Sequence, residues 1–189
     1  MLKAGKFSDF TIICQGTEIR VHKFVLYSQS AYFAALFESN MEEARQGAVT
    51  FDDVDPELVN HLLKYFYSDY GDFDFGTSDL KTNVSFWILA DRLQARQAMR
   101  EIEDRLSYYL GISEYKYAVT DGTVLDMVFS NTACANSAIG EVFAEAAWDV
   151  FVNDDDAQST KNIFSSLTKH HLLAQKMLKW CMQWAKTGI

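Results

Sequence analysis

A single proline, Pro56, occurs among the 189 residues, and no run is rich in proline, serine or glycine. A flexible tether between two parts of the chain is therefore not expected. Cysteine is also sparse: Cys14, Cys134 and Cys181 are odd in number and far apart, and Cys14 sits in a β-branched run. This argues against a disulfide framework and fits a reducing compartment. No stretch approaches the ~20 apolar residues that span a bilayer. The opening Met-Leu-Lys-Ala-Gly-Lys carries no apolar signal-peptide core either. The expectation is an intracellular protein, cytoplasmic, nuclear or both, with no membrane partner, in which the sequon Asn83-Val84-Ser85 is idle.

Basic charge is in deficit. Lysine and arginine number 17 against 26 aspartates and glutamates, giving a net charge of -9 and a pI near 4.8. With no basic block and no zinc-finger spacing, the field repels phosphate backbones, and no nucleic-acid partner is expected. Chemistry-bearing motifs are missing as well: there is no glycine-rich phosphate loop, no nucleophile elbow and no H-E-x-x-H. A non-enzymatic chain without a cofactor follows as an expectation. His170 and His171, with Cys181, form a poor metal set, because adjacent helical residues point about 100° apart. Asn153-Asp154-Asp155-Asp156 lacks the glycine and the terminal glutamate of a calcium loop and reads as a solvated turn.

What is abundant is core material: 49% of residues are hydrophobic and 14% aromatic, with only 23% charged, enough for one α+β domain and a smaller helical piece. Phe10–Cys14 and Glu18–His22 are β-branched runs around Gln15-Gly16-Thr17, which predicts a hairpin. Ser30 is placed to cap a helix carrying Phe33, Leu36 and Phe37. Ala48–Phe51 is a third strand. Asp55-Pro56-Glu57 starts a helix that buries Leu58, Leu62 and Phe66, with Val54 stapled to Val59. A short edge strand is expected within Tyr67–Phe75. Phe86, Leu89, Ala90 and Leu93 mark one helix, and the stripe from Ala95 to Leu110 another, stopped by Gly111. Beyond Gly111 strand signals vanish. Helices are predicted around Val124 and Val128, from Ile139 to Val150, at Ile163, Phe164 and Leu167, and from Leu173 through Met177, Trp180 and Trp184.

Three segments in order, Ser8-Asp9-Phe10-Thr11-Ile12, Val21-His22-Lys23-Phe24-Val25-Leu26 and Ser28-Gln29-Ser30-Ala31-Tyr32-Phe33, resemble the opening of BTB/POZ domains. The resemblance continues through Met41-Glu42-Glu43-Ala44, Val49–Pro56, Leu62–Ser68 and Leu89–Leu93, and so covers roughly residues 7 to 110. The Tyr67-Ser68-Asp69-Tyr70 variant is similar to that of stand-alone BTB proteins of filamentous fungi. The resemblance implies the BTB/POZ fold, an α+β class with a short sheet packed on a helical cluster, over 7–111, and a BACK-like all-α extension over 118–187. It also implies a protein-binding adaptor that forms a homodimer. Such an adaptor can bring a protein substrate to a cullin-type ubiquitin ligase by docking on a cullin N-terminal domain, or can serve as an oligomerisation scaffold in a transcriptional or signalling complex without ligase contact.

Several residues carry these expectations. Asp9 and Lys23 match the family's charged pocket at the dimer interface, or else Asp9 caps the first strand while Lys23 stays solvated. His22 matches the family's usual histidine and reads as a hydrogen-bonded core residue. Leu36-Phe37-Glu38 fits the hydrophobic-x-Glu pattern of cullin docking, Leu36 filling a groove and Glu38 orienting at its rim, although Leu36 equally fits the core stripe with Phe33. Trp87, Trp148, Trp180 and Trp184 sit in helical stripes that favour core positions, with Trp180 and Trp184 as candidates for a partner-binding face.

Overall fold

The computed structural model describes residues 6–68, 79–112, 117–153 and 156–187. The predicted hairpin forms, but its second strand starts at Thr17 and ends at Val21, so the link is Gln15-Gly16 alone and His22 lies at the start of the next helix. β1 (Phe10–Cys14) and β2 (Thr17–Val21) pair antiparallel with Phe10 opposite Val21, and Gly16 takes the positive φ, 79°, that the tight turn requires. β3 (Ala48–Phe51) adds in parallel to the other edge of β1, so the sheet order is β2-β1-β3. The alternating burial of β1 places Phe10, Ile12 and Cys14 on one inward face.

Two helices occupy residues 23–38 where the sequence suggested one. α1 (Lys23–Gln29) and α2 (Ala31–Glu38) meet at Ser30, whose extended backbone ends the first helix and whose hydroxyl accepts the Phe33 amide to start the second. Ser30 also donates to the Leu93 carbonyl at 2.5 Å, so one buried serine ties this corner to a residue 63 positions away. α2 sends Phe33 and Phe37 against Phe10, with ring centroids 6.4 and 4.9 Å apart. A short α3 (Glu42–Gln46) leads into β3.

α4 (Pro56–Tyr67) begins as the sequence dictates: Asp55 accepts the Glu57 amide at 2.8 Å and Pro56 occupies the first turn. Its buried face is Val59, Leu62, Leu63, Tyr65 and Phe66, while Leu58 stays half-buried. Most of the expected edge strand over Tyr67–Phe75 lies outside the described residues; Tyr67 itself ends α4. α5 (Leu80–Arg92) and α6 (Arg96–Leu110) follow, then a 3-10 turn (Tyr117–Thr120), α7 (Thr123–Ser130), α8 (Thr132–Asn136), α9 (Ala138–Asn153), α10 (Ala157–Lys169) and α11 (His171–Thr187). Among the described residues the layout is thus α+β, with the sheet confined to the first part and helices alone thereafter.

The chain forms two compact units, Met1–Thr77 with Ser85–Arg100, and Ser78–Val84 with Glu101–Ile189. The first centres on Phe10, Ile12, Leu26, Phe33, Leu62 and Phe86, all at most 2% exposed. The second centres on Ile102, Leu106, Leu125, Ile139, Phe143 and Leu173, also at most 1% exposed. In that unit Asp126 of α7 gathers the end of α10: it accepts from Lys169 Nζ at 2.8 Å, sits 2.9 Å from His170 Nε2 and accepts from Ser166 Oγ at 3.3 Å. Lys81 pairs with Asp121 at 2.8 Å. Cys14 and Cys134 are buried and Cys181 is exposed. Among the described residues no helix is long and apolar enough to cross a membrane.

Candidate functional site

Asp9, His22 and Lys23 do converge, by a route the sequence did not reveal. The exposed Asp9 carboxylate accepts the backbone amide of Lys23 at 2.7 Å, at the first residue of α1, where unsatisfied amides and the positive end of the helix dipole favour an anion. Asp9 therefore serves the start of a helix that the sequence reading did not separate from α2. The Lys23 ammonium points elsewhere, 5.7 Å from the Phe10 ring centroid and 5.5 Å from that of Phe37, so it is held by aromatic faces.

His22 is half-buried and hydrogen-bonded on both ring nitrogens. Nε2 lies 2.8 Å from the Lys6 carbonyl, which can only accept, so Nε2 carries the proton. Nδ1, 2.8 Å from the Tyr67 hydroxyl, then accepts from it, and the same hydroxyl accepts the His22 amide at 2.9 Å. Burial pushes the Tyr67 hydroxyl above the usual phenol range, against the His22 amide bond, which lowers it, and with the Asp9 carboxylate, which raises it. Expected in the core, the histidine is instead half-buried and ties the segment before β1 to the end of α4.

The two aromatic residues that follow or precede this node are bare. Phe24 is 82% exposed and Phe7 94%, although each is a chain neighbour of a residue held in the node. Singly exposed apolar residues are ordinary on a protein surface; two beside one hydrogen-bonded node supply apolar area that a partner can cover.

Leu36 is only 4% exposed, committed to the core of its own unit, while Glu38 is exposed and accepts from the Tyr27 hydroxyl at 2.5 Å. The same hydrophobic-x-Glu pattern recurs five residues on as Met41-Glu42-Glu43, and there the apolar member is 54% exposed at the entry to α3. The tripeptide pattern does not separate these two; exposure does, and exposure depends on helical phase and on the break at Ser39.

In the second unit Trp180 is half-buried and Trp184 is 52% exposed, both on α11, beside the exposed Leu178 and Met182. Trp87 is core and Trp148 is half-buried against Phe151, with ring centroids 6.5 Å apart. The two adjacent histidines take separate directions, His170 to Asp126 and His171 outward. Among the described residues no cluster of histidine, cysteine and carboxylates could hold a metal ion.

Residues 1–110, more than half of the chain, match the family model described as BTB/POZ domain. Among characterised proteins the chain is similar to Kelch-like protein 40 of Xenopus tropicalis, 38% identical over 68 residues, which is 36% of this chain and 11% of that protein. It is similar also to Kelch-like protein 17 of Homo sapiens, 40% identical over 68 residues with the same coverage of 36% and 11%. The chain thus matches about a tenth of the length of these relatives. Among solved structures, the BTB domain of zebrafish PATZ1 aligns with a TM-score of 0.44 at 18% identity over 54% of this chain and 77% of that one. The BTB (Tramtrack and Bric a brac) domain of human Gigaxonin aligns at 0.42 and 18% over 51% and 75%. The family model, the three-stranded sheet and the helices packed on it lead to one conclusion: this chain belongs to the BTB/POZ domain family of protein-interaction modules, and carries an all-α extension.

Proposed function

We propose that this chain is an intracellular, homodimeric, non-enzymatic adaptor, whose BTB/POZ part, taken as 7–111, brings a protein substrate to a cullin-type ubiquitin ligase. The BACK-like part, 118–187, selects that substrate through a face that includes Trp180 and Trp184. The observation that carries the reading is the exposure of Phe7, Phe24 and Met41 on the BTB unit, at 94%, 82% and 54%. Phe7 and Phe24 flank the Asp9–Lys23–His22 node and suit a self-complementary interface in which that node becomes the family's charged pocket. Met41, with Glu43 beside it, suits a cullin N-terminal helix better than Leu36 does, because an anchor must leave the solvent and not its own core. Glu38 remains available at the rim.

Light scattering checks the dimer: at micromolar concentration the chain runs at twice its 21.6 kDa mass, and Phe24→Asp halves that mass with an unchanged circular dichroism spectrum. A pull-down with a purified cullin N-terminal domain checks docking: the wild-type chain is retained and a Met41→Asp, Glu43→Lys variant is lost. A dimer that ignores the cullin domain identifies the second reading, the oligomerisation scaffold without ligase contact. A monomer overturns both.

A further inference from the structure

The second unit contains a groove of about 470 Å³, within the size range of built ligand sites, between the end of α6, the middle of α9 and Trp180 of α11. Leu110, Trp148 and Trp180 supply its apolar walls, and Glu145 and Asp149 supply its charge. The two carboxylates are four residues apart on α9 and so share one face. A third source of negative potential is the C-terminal end of α6, where Ser107, Leu110 and the following Gly111 line the same space and the final carbonyls carry the negative pole of the helix. Among the described residues the lining includes neither lysine nor arginine; Asp149 Oδ1 accepts from Asn153 Nδ2 at 2.9 Å, and Lys176 of α11 is paired with Glu141.

We propose that this groove receives the side chain of an arginine or lysine presented by a peptide segment of a protein partner. Charge complementarity selects the occupant: a carboxylate or phosphate would meet two like charges and a helix C-terminus, whereas a cation meets three attractions at once. The tryptophans sharpen the choice. A guanidinium stacks on indole faces while its edge forks to a carboxylate, and a lysine lays its methylene stem along the rings with the ammonium at Glu145 or Asp149. This deepens the partner-face reading of the extension and rests on it through Trp180; it is independent of dimerisation and of cullin contact.

The test is a titration of the full-length chain followed by the indole Nε1–H resonances, with Trp148 and Trp180 assigned from Trp148→Phe and Trp180→Phe variants. The probes are acetyl-Gly-Arg-Gly-amide, acetyl-Gly-Lys-Gly-amide, acetyl-Gly-citrulline-Gly-amide and choline. The arginine and lysine peptides shift the Trp148 and Trp180 signals saturably and leave the core Trp87 unmoved. The citrulline peptide, isosteric but neutral, binds at least about tenfold more weakly, as does the arginine peptide to a Glu145→Gln, Asp149→Asn variant that keeps its circular dichroism spectrum. Glu145→Gln alone, on an exposed side chain, gives a smaller loss in the same direction. Silence of both tryptophans with every probe overturns the groove proposal, whereas the partner face is judged separately, by whether a Trp184→Ser variant, altered outside the groove, loses a protein partner that the wild-type chain holds. Equal binding of the citrulline peptide keeps the face and overturns its cation selectivity, and a response to choline alone makes the groove a small-molecule site.

Discussion

At Asp126 a single carboxylate organises partners from the end of α10, and its electrostatics have a measurable consequence. Partial burial raises its pKa, but the hydrogen bonds and charges of Lys169 and His170 outweigh this and hold it below the usual carboxylate value. A carboxylate with a lowered folded-state pKa adds stability that is complete above its unfolded value, near pH 4, and is lost as pH falls through the folded one. Asp126→Ala therefore destabilises by about 1–2 kcal/mol at pH 7, discounted for partial solvent exposure, and wild type and variant converge toward pH 3 in urea titrations. None of this was legible in the sequence, where the segment shows only the Val124 and Val128 stripe, because the partners lie 40 to 44 residues on. His170 and His171 were read as neighbours on one helix, but His170 is extended backbone between α10 and α11, which turns its Nε2 to Asp126 while His171 opens the next helix.

Among the elements, the corner between α8 and α9 brings two backbones into close approach. A Cβ added at Gly140 would lie 2.0 Å from the Ala135 carbonyl oxygen and 2.5 Å from its carbon, both backbone atoms. No rotamer relieves such a clash, so Gly140→Ala costs at least about 3 kcal/mol, read as a lowered urea midpoint with an unchanged slope. In sequence Gly140 looks like an unhelpful residue inside a regular apolar stripe, since helix propensity alone would favour alanine there. Other element ends were plain. Asp55-Pro56 and Ser30 act where they were read, because caps are local chemistry within three residues. The division of α1 from α2 was not, since Lys23–Gln29 is seven residues long with Leu26 alone fully buried, too short for a periodic stripe to stand out.

For the whole molecule, compactness does not follow chain order. Ser78–Val84 and Glu101–Leu110 belong to the second unit, where Leu80, Val84, Ile102, Leu106 and Leu110 are at most 6% exposed. A fragment ending at residue 111 therefore uncovers these five side chains; it binds the dye ANS and aggregates, while the full chain does neither, which fluorescence and light scattering distinguish. The sequence by itself determined the strand runs, most helices, their caps and the ordered series of segments that carries the family, because periodicity, capping and turn chemistry act between near neighbours. Only the tertiary structure decided which apolar residues face water. It placed Leu36 inside and left Met41, Phe24 and Phe7 outside, turned the Lys23 ammonium onto two rings, and set Trp148, Trp180 and two carboxylates around one groove. Exposure is a property of distant segments meeting, and no local pattern encodes it.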